Sequence, residues 1–229
     1  MQPPATSRHD QNDSIGLAAV NVGTPAVLSR SDDTTVWSAI AKAPVASGTM
    51  LWLSTVNLAG DGQADQSVHG GPDKAVYAYP VEHLAPWRAE LGTALGDAPF
   101  GENLDTIGVT ESDVCIGDLW SWGEATLEVC QPRWPCFKLA LHRGRGDIGQ
   151  RMRQSGRTGW YLRVLEPGAV PSDGPITVAR HDPAGLSVSD AHLAMGDRHL
   201  AHPDLVRALA GHDRLADEWR LPLRDRLAR

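Results

Sequence analysis

Cys136 stands at the end of a short segment whose residue types could hold a reactive sulfur in place, Gln131-Pro132-Arg133-Trp134-Pro135-Cys136. The two prolines fix φ on either side of Arg133, so the loop that presents Cys136 has little conformational freedom. A nearby guanidinium favours the thiolate over the thiol. A positioned thiolate can act as a nucleophile, carry a persulfide or bind a soft metal ion. A buried structural cysteine is the alternative, and it is the better interpretation for Cys115 and Cys130, which lie in apolar runs.

The charge pattern places this cysteine in a basic region of an acidic chain. Residues 131–163 contain eight Lys or Arg and one acid, Asp147, whereas the net charge of the 229-residue chain is −7. Such an island indicates a local anion site, with a solvated basic helix face as the alternative. The negative net charge disfavours generic binding to nucleic acid or to anionic membranes. No stretch approaches the ~20 apolar residues of a membrane span, so we expect a cytoplasmic protein.

Two loops carry further polar residues. The loop that ends at Lys74 contains Gly70-Gly71, which lets the backbone pass close to a ligand and direct N–H groups at an anion. His69 can donate or accept a hydrogen bond there, and Lys74 can add charge. The second loop, residues 100–104, contains the pair Glu102-Asn103. By itself, Gly70-Gly71 does not outweigh the alternative of an ordinary hairpin loop, and a surface turn is the better interpretation of the Glu102-Asn103 pair.

The elements that must position these loops are mostly short strands. Residues with β-branched or apolar side chains predict strands, and the chain has 23 Gly and 16 Pro to form turns between them. The predicted strands are 17–22, 36–40, 50–58, 75–79, 113–120, 125–129, 160–165 and 176–179. Helices are predicted at 81–91 and at 147–154, the latter capped by Asp147. This pattern favours a mainly β fold, a closed or nearly closed β-barrel with a few short helices.

The two ends of the chain differ from this body. Residues 1–14 are polar and predict a disordered arm, which leaves 15–181 as the barrel domain. After residue 181 the strand pattern stops, and 182–229 predicts a three-helix extension. Ser187 with Asp190 resembles a capping box for the first of these helices. The second is predicted at 203–210, and the third at 213–227, bent or broken at Pro222.

Four segments in this order resemble the MOSC family, and specifically its stand-alone YiiM-type branch. They are GDGQADQSVHGGPDKAVYAYPVEHLAPW, FGENL, VCIGDLWSWGEATLEVCQPRWPCFKL and RTGWYLRVLEPG. The resemblance covers about residues 15–180, and the tail resembles the three-helix extension of that branch.

The resemblance implies a MOSC-type β-barrel, a bound molybdenum cofactor (Mo-molybdopterin) and Cys136 as both the metal ligand and the catalytic residue. The cofactor is anionic at its phosphate, so it requires Lys, Arg and backbone N–H groups. Glu and Asn suit the donor and acceptor edges of a pterin. The expected cofactor-binding residues are therefore His69, Gly70, Gly71, Lys74, Glu102, Asn103, Arg133 and Lys138, with Lys42 as a weaker candidate.

The activity that the resemblance implies is reduction of N-hydroxylated compounds, such as hydroxylaminopurine-like base analogues, by oxygen-atom transfer at a cysteine-ligated molybdenum. No flavin or iron–sulfur motif is visible, so we expect a separate electron-donor reductase as partner besides the small-molecule substrate. Two alternatives remain open. One is a sulfurtransferase that carries a persulfide on Cys136, and the other is a non-catalytic carrier of the cofactor.

Overall fold

The computed structural model describes residues 13–31, 33–64 and 70–229. Most of the predicted N-terminal arm, residues 1–14, lies outside this part of the chain. Ser14, the last residue of that segment, already belongs to the first strand. In the described residues, no helix has both the length and the apolar character needed to span a membrane.

Twelve strands are present in the described part of the chain. They are β1 (Ser14–Val22), β2 (Ala26–Arg30), β3 (Thr35–Ser38), β4 (Ala43–Pro44), β5 (Met50–Leu53), β6 (Val76–Pro80), β7 (Leu104–Ile107), β8 (Leu119–Trp122), β9 (Ala125–Pro132), β10 (Trp160–Glu166), β11 (Gly168–Pro171) and β12 (Ile176–Arg180). Seven of them close a barrel in the order β1-β7-β6-β10-β9-β8-β12, and β12 pairs back onto β1. The pairing of β6 with β7 is parallel, and the other six are antiparallel. The predicted β-barrel is therefore confirmed.

Tryptophan side chains fill much of the interior. The chain has 8 Trp and 2 Phe, and five of the tryptophans are among its largest fully buried side chains: Trp87, Trp120, Trp122, Trp160 and Trp219. Trp120 of β8 and Trp160 of β10 meet edge to face, with ring centroids 6.0 Å apart. An aromatic side chain buries ~150–250 Å², so a few of them fill a small barrel.

Six α-helices accompany the strands in the described residues: α1 (Leu84–Leu91), α2 (Phe137–Arg143), α3 (Ile148–Ser155), α4 (Val188–Gly196), α5 (Pro203–Gly211) and α6 (Asp217–Leu227). The predicted capping box of α4 is present, because the Ser187 hydroxyl accepts from the Asp190 N–H at 3.0 Å and the Ser187 N–H donates to the Asp190 carboxylate at 2.9 Å. Helix α6 runs through Pro222 without a break. Trp219 and Leu223 of α6 are buried, and this packing outweighs the hydrogen bond that proline removes.

The three C-terminal helices pack directly on the barrel. Buried residues of α4, α5 and α6 belong to the same apolar cluster as those of the barrel strands. The Ala216 N–H donates to the Cys130 carbonyl of β9 at 3.0 Å. Arg214 and Arg163 both pair at 3.1 Å with Glu128, which is fully buried on β9. The predicted boundary near residue 182 thus separates strands from helices, while the core is shared across it.

Several predicted elements were wrong in extent. Of the predicted strand 113–120, only the end is strand, because the preceding residues form turns in which the Asp118 carboxylate accepts from the Cys115 N–H at 2.9 Å. The strand predicted at 50–58 ends at Leu53. Asp147 does occupy the position before α3, but its carboxylate pairs with Arg145 and Arg151 instead of capping the helix. Helix α2 was not predicted.

Candidate functional site

A cavity opens where β9 leaves the barrel wall and β10 enters it. Strand residues and the loop that follows β9 contribute Tyr77, Gln131, Pro132, Arg133, Trp134, Cys136, Lys138 and Tyr161 to the lining. The loops around residues 38–42, 61–64 and 100–103, Lys74, and Glu218 of α6 complete it. Residues that are far apart in sequence therefore meet at this end of the barrel.

Cys136 lies on the cavity wall, immediately before α2, and its side chain is partly accessible. The backbone on both sides of it is tied down. The Arg133 N–H donates to the Gly159 carbonyl at 3.1 Å, and the Leu139 N–H donates to the Cys136 carbonyl at 3.1 Å. The other two cysteines, Cys115 and Cys130, are buried away from this wall. Cys136 is thus the cysteine whose sulfur a ligand in the cavity can reach.

Arg133 places a buried positive charge beside Cys136. It is 5% exposed, its guanidinium lies 4.9 Å from the centroid of the Tyr77 ring, and it donates weakly to the Met152 sulfur at 3.6 Å. Burial by itself would lower the pKa of Arg133, but the neighbouring Tyr77, Tyr161 and Cys136 raise it above its ordinary value. Within the described residues, it forms no ion pair with a carboxylate. A buried cation in this situation favours an anionic ligand.

Two lysines add charge to the same cavity. Lys138 of α2 is partly buried on the cavity wall and, among the described residues, has no ion pair with a carboxylate. Lys74 lies at the end of a short 3₁₀ turn and also lines the cavity, and its ammonium is 2.5 Å from the Glu218 carboxylate. Both lysines were predicted to bind the cofactor, and the structure brings both to the cavity.

Lys42 and Asn103 are held by a buried carboxylate, Asp61. One Asp61 oxygen pairs with the Lys42 ammonium and accepts from the Gly23 N–H at 2.9 Å. The other accepts from the Asn103 amide at 2.9 Å. The remaining Asn103 amide oxygen accepts from the Tyr77 N–H at 3.1 Å, so this side chain ties strands together at the cavity wall. Burial lowers the pKa of Lys42 below its ordinary value, against the opposing effect of Asp61.

Of the other predicted site residues, His69 lies outside the described residues, and Gly70, Gly71 and Glu102 do not line the cavity. Gly71 adopts φ +94°, which favours glycine, but its N–H donates to the Gln63 side chain at 3.0 Å and is therefore not free to bind an anion. Neither Gly70 nor Gly71 lines the cavity. Glu102 is fully buried between the lining residues Gly101 and Asn103.

The Glu102 carboxyl is a buried acid close to the cavity cations. It accepts from the Phe100 N–H at 2.8 Å. Burial, and then the nearby Asp105, raise the pKa of Glu102 to about 8, although Arg133 opposes this shift. At pH 7 the carboxyl is therefore mostly protonated and does not neutralise Arg133.

Asp61, Tyr77, Gln131 and Glu218 are among the lining residues that the sequence did not predict. Gln131 stands in the same segment as Cys136, and its amide donates to the Asp73 carbonyl at 3.2 Å. Its buried amide oxygen has no hydrogen-bond partner among the described residues, so it can accept one from a ligand. The segment itself could have indicated Gln131, but no local signal marks Glu218.

Comparison with known proteins gives the family. A family model for the MOSC domain matches residues 65–177. The chain is 38% identical over 204 residues to "Uncharacterized protein YflK" of Bacillus subtilis, which covers 89% of this chain and 90% of YflK. The chain belongs to the MOSC-domain family. MOSC domains are named after the C-terminal domain of molybdenum-cofactor sulfurases, so the function of this chain is associated with the molybdenum cofactor.

Other relatives agree with this assignment. The MOSC protein described here is 48% identical over 142 residues to YiiM of Escherichia coli, covering 61% of this chain and 62% of YiiM. The crystal structure of YiiM from Geobacillus stearothermophilus superposes with a TM-score of 0.76 at 29% identity, over 93% of this chain and 99% of that one. A protein named "Reductase" from Gibberella moniliformis is 39% identical over 155 residues, which are 66% of this chain and 28% of that protein.

The cavity of this MOSC domain fits the chemistry of such a cofactor. Arg133 is buried and has no carboxylate partner among the described residues, so its guanidinium is available to a phosphate. The Gln131 amide oxygen, which accepts no hydrogen bond from the described residues, suits a pterin N–H group. Cys136 offers a soft sulfur ligand on the same wall.

Proposed function

We propose that this chain is a molybdenum-cofactor-dependent reductase of N-hydroxylated compounds, such as hydroxylaminopurine-like base analogues, with Cys136 as the protein ligand to molybdenum. The observation that carries the proposal is that Cys136 and Arg133 line the same cavity, and that Arg133 is buried without a carboxylate partner in the described part of the chain. The first offers a ligand for the metal, and the second offers a site for the anionic part of the cofactor.

Several of the lining residues have a role in this proposal. Arg133, Lys138 and Lys74 bind the phosphate, and Tyr77 holds the Arg133 guanidinium against its ring. Gln131 accepts a hydrogen bond from the pterin, and Asn103 positions Asp61, which in turn holds Lys42. The bound cofactor supplies the redox chemistry, and the protein supplies orientation and electrostatics.

Reduction of an N-hydroxyl group to an amine consumes two electrons and two protons and releases water. We propose that the electrons come from a separate electron-donor reductase. A protein named "Reductase" contains a segment similar to this chain, 28% of its length, and this association supports a role of this chain in reductive chemistry. A persulfide-carrying sulfurtransferase is the second candidate, because Cys136 is the partly accessible cysteine and because the family is named after sulfurases.

The test compares the wild-type chain with Cys136→Ser, both produced in a host that makes the cofactor. Molybdenum and pterin content are measured, together with turnover of an N-hydroxylated purine with a chemical reductant as electron source. We expect the variant to stay folded but to lose molybdenum or turnover. Cys115→Ser, which replaces a cysteine away from the cavity, is the matched control and should retain both.

Three outcomes would contradict the proposal. Normal molybdenum content and turnover in Cys136→Ser would refute the assignment of the ligand. A wild-type chain that holds the cofactor but reduces no N-hydroxylated compound would favour the carrier. A wild-type chain without reductase activity, whose mass shows one added sulfur atom on Cys136, would favour the sulfurtransferase.

A further inference from the structure

Glu218 brings the C-terminal extension into the cavity. This residue lies in the first turn of α6, lines the cavity, and its carboxylate is 2.5 Å from the Lys74 ammonium. The Lys74 side chain is 14% exposed, whereas that of Glu218 is 52% exposed. The lysine is thus held in the wall, while the glutamate has access to solvent.

Helix α6 is fixed over this position by several contacts. Trp219, the next residue, is buried, and its ring meets that of Trp134 at 5.7 Å and 74°. Trp134 belongs to the loop that presents Cys136. The Ala216 N–H bonds to the Cys130 carbonyl of β9 at 3.0 Å, just before α6 begins. The backbone is therefore anchored on both sides of Glu218, before it at Ala216 and after it at Trp219.

The two carboxylates on the described cavity wall, Asp61 and Glu218, differ in how firmly they are bound. Asp61 has a side chain that is 5% exposed, and both of its oxygens are engaged by Lys42, Gly23 and Asn103. Its removal would leave several buried groups without a partner. Glu218 can leave Lys74 and become hydrated without breaking a buried network. Of the two, Glu218 is the carboxylate that a ligand can displace.

We propose that Glu218 is a replaceable counter-ion of Lys74, so that the C-terminal helix competes with the phosphate of the ligand for this lysine. The proposal rests on the proposed function, in which Lys74 contacts the phosphate. An anionic ligand that reaches Lys74 moves the Glu218 carboxylate into solvent, and the repulsion between the two anions weakens binding. The extension then sets the anion affinity of the cavity in addition to packing on the barrel.

The experiment measures the dissociation constant of inorganic phosphate for the full-length chain at low ionic strength. Glu218→Gln should tighten binding roughly two- to five-fold, which is the range expected for a partly exposed ion pair. Lys74→Ala should weaken binding, and in that background Glu218→Gln should change nothing further. The matched control is Asp217→Asn. It removes the other acid in the first turn of α6, which pairs with Arg220 and not with Lys74, and should leave the phosphate affinity unchanged.

Each other outcome overturns the inference. Unchanged or weaker binding in Glu218→Gln would show that the carboxylate does not compete. An equal gain in the Lys74→Ala background, or in Asp217→Asn, would show a general effect of charge. Unchanged binding in Lys74→Ala would remove Lys74 from the anion site. These results are independent of the molybdenum content of Cys136→Ser, so the inference and the proposed function can fail separately.

Discussion

Replacing Glu102 by Gln tests the protonation state of the buried carboxyl beside the cavity. In the folded chain, burial and then Asp105 raise the pKa of Glu102 from 4.5 to about 8. Burial also raises the pKa of Asp105, to about 6. Gln has the shape of the protonated acid and can still accept the hydrogen bond of 2.8 Å from the Phe100 N–H. The variant therefore keeps the neutral form at every pH.

The sign follows from proton binding in the two states. Between pH 4.5 and about 8, Glu102 is protonated in the folded chain and ionised in the unfolded one. The folded state then binds more protons, so the free energy of unfolding falls as the pH rises, by about 1.4 kcal/mol per pH unit. Between pH 5 and pH 7 the free energy of unfolding of the wild type should therefore fall by about 3 kcal/mol through Glu102. Glu102→Gln has no ionisable group at this position and should not show this fall.

The assay is thermal unfolding of wild type and variant at several pH values from 5 to 8, with protein from a host that does not make the cofactor. At about 2–4 °C per kcal/mol for a chain of this size, the Tm of Glu102→Gln should gain about 6–12 °C relative to wild type between pH 5 and pH 7. Glu166→Gln makes the same change on an exposed residue at the end of β10 and should follow the wild-type profile. A difference in Tm between Glu102→Gln and wild type that stays constant across this pH range would refute the conclusion that the Glu102 carboxyl is protonated in the folded chain.

Two further predictions concern backbone positions near the cavity and in the extension. Gly159→Ala should lower the free energy of unfolding, measured with denaturant, by about 2 kcal/mol or more. Gly159 has φ +64°, and an added Cβ would lie 2.4 Å from the Ala78 carbonyl oxygen. A loss below about 0.5 kcal/mol would contradict the required left-handed conformation. Ser187→Ala should cost about 1 kcal/mol through loss of the α4 cap, measured in the same way, whereas Ser187→Thr keeps the hydroxyl that accepts from the Asp190 N–H and donates to the Asp190 carboxylate, and should retain most of the stability. Equal losses in the two Ser187 variants would argue against the capping role.

Several features that the sequence predicted depend on residues close together in the chain. Cys136, Arg133 and Lys138 lie within six residues, and the prolines between and around them restrict the loop whatever the rest of the chain does. The capping box of Ser187 and Asp190 is equally local, because both partners belong to one helical turn. Such features depend on short-range geometry, which the residue types determine.

Predictions failed where tertiary contacts override local preference. The apolar run before β8 reads as strand, but the Asp118 carboxylate accepts the Cys115 N–H and closes a turn there. Pro222 predicts an interruption, yet the buried Trp219 and Leu223 keep α6 continuous. In both cases an interaction outside the local pattern of hydrophobicity decides the conformation.

The sequence by itself determined that this chain forms a β-barrel with a helical extension and that a basic loop presents Cys136. Hydrophobic periodicity, turn residues and charge are properties of short segments and can be recognised without the fold. Only the tertiary structure decided which distant groups share the cavity. Closure of β12 onto β1 and docking of α6 bring Glu218 to Lys74, although they lie 144 positions apart in the chain. The same packing directs the Gly71 N–H to Gln63 and buries Glu102 behind the cavity wall. These outcomes depend on long-range packing, which no short segment of the sequence encodes.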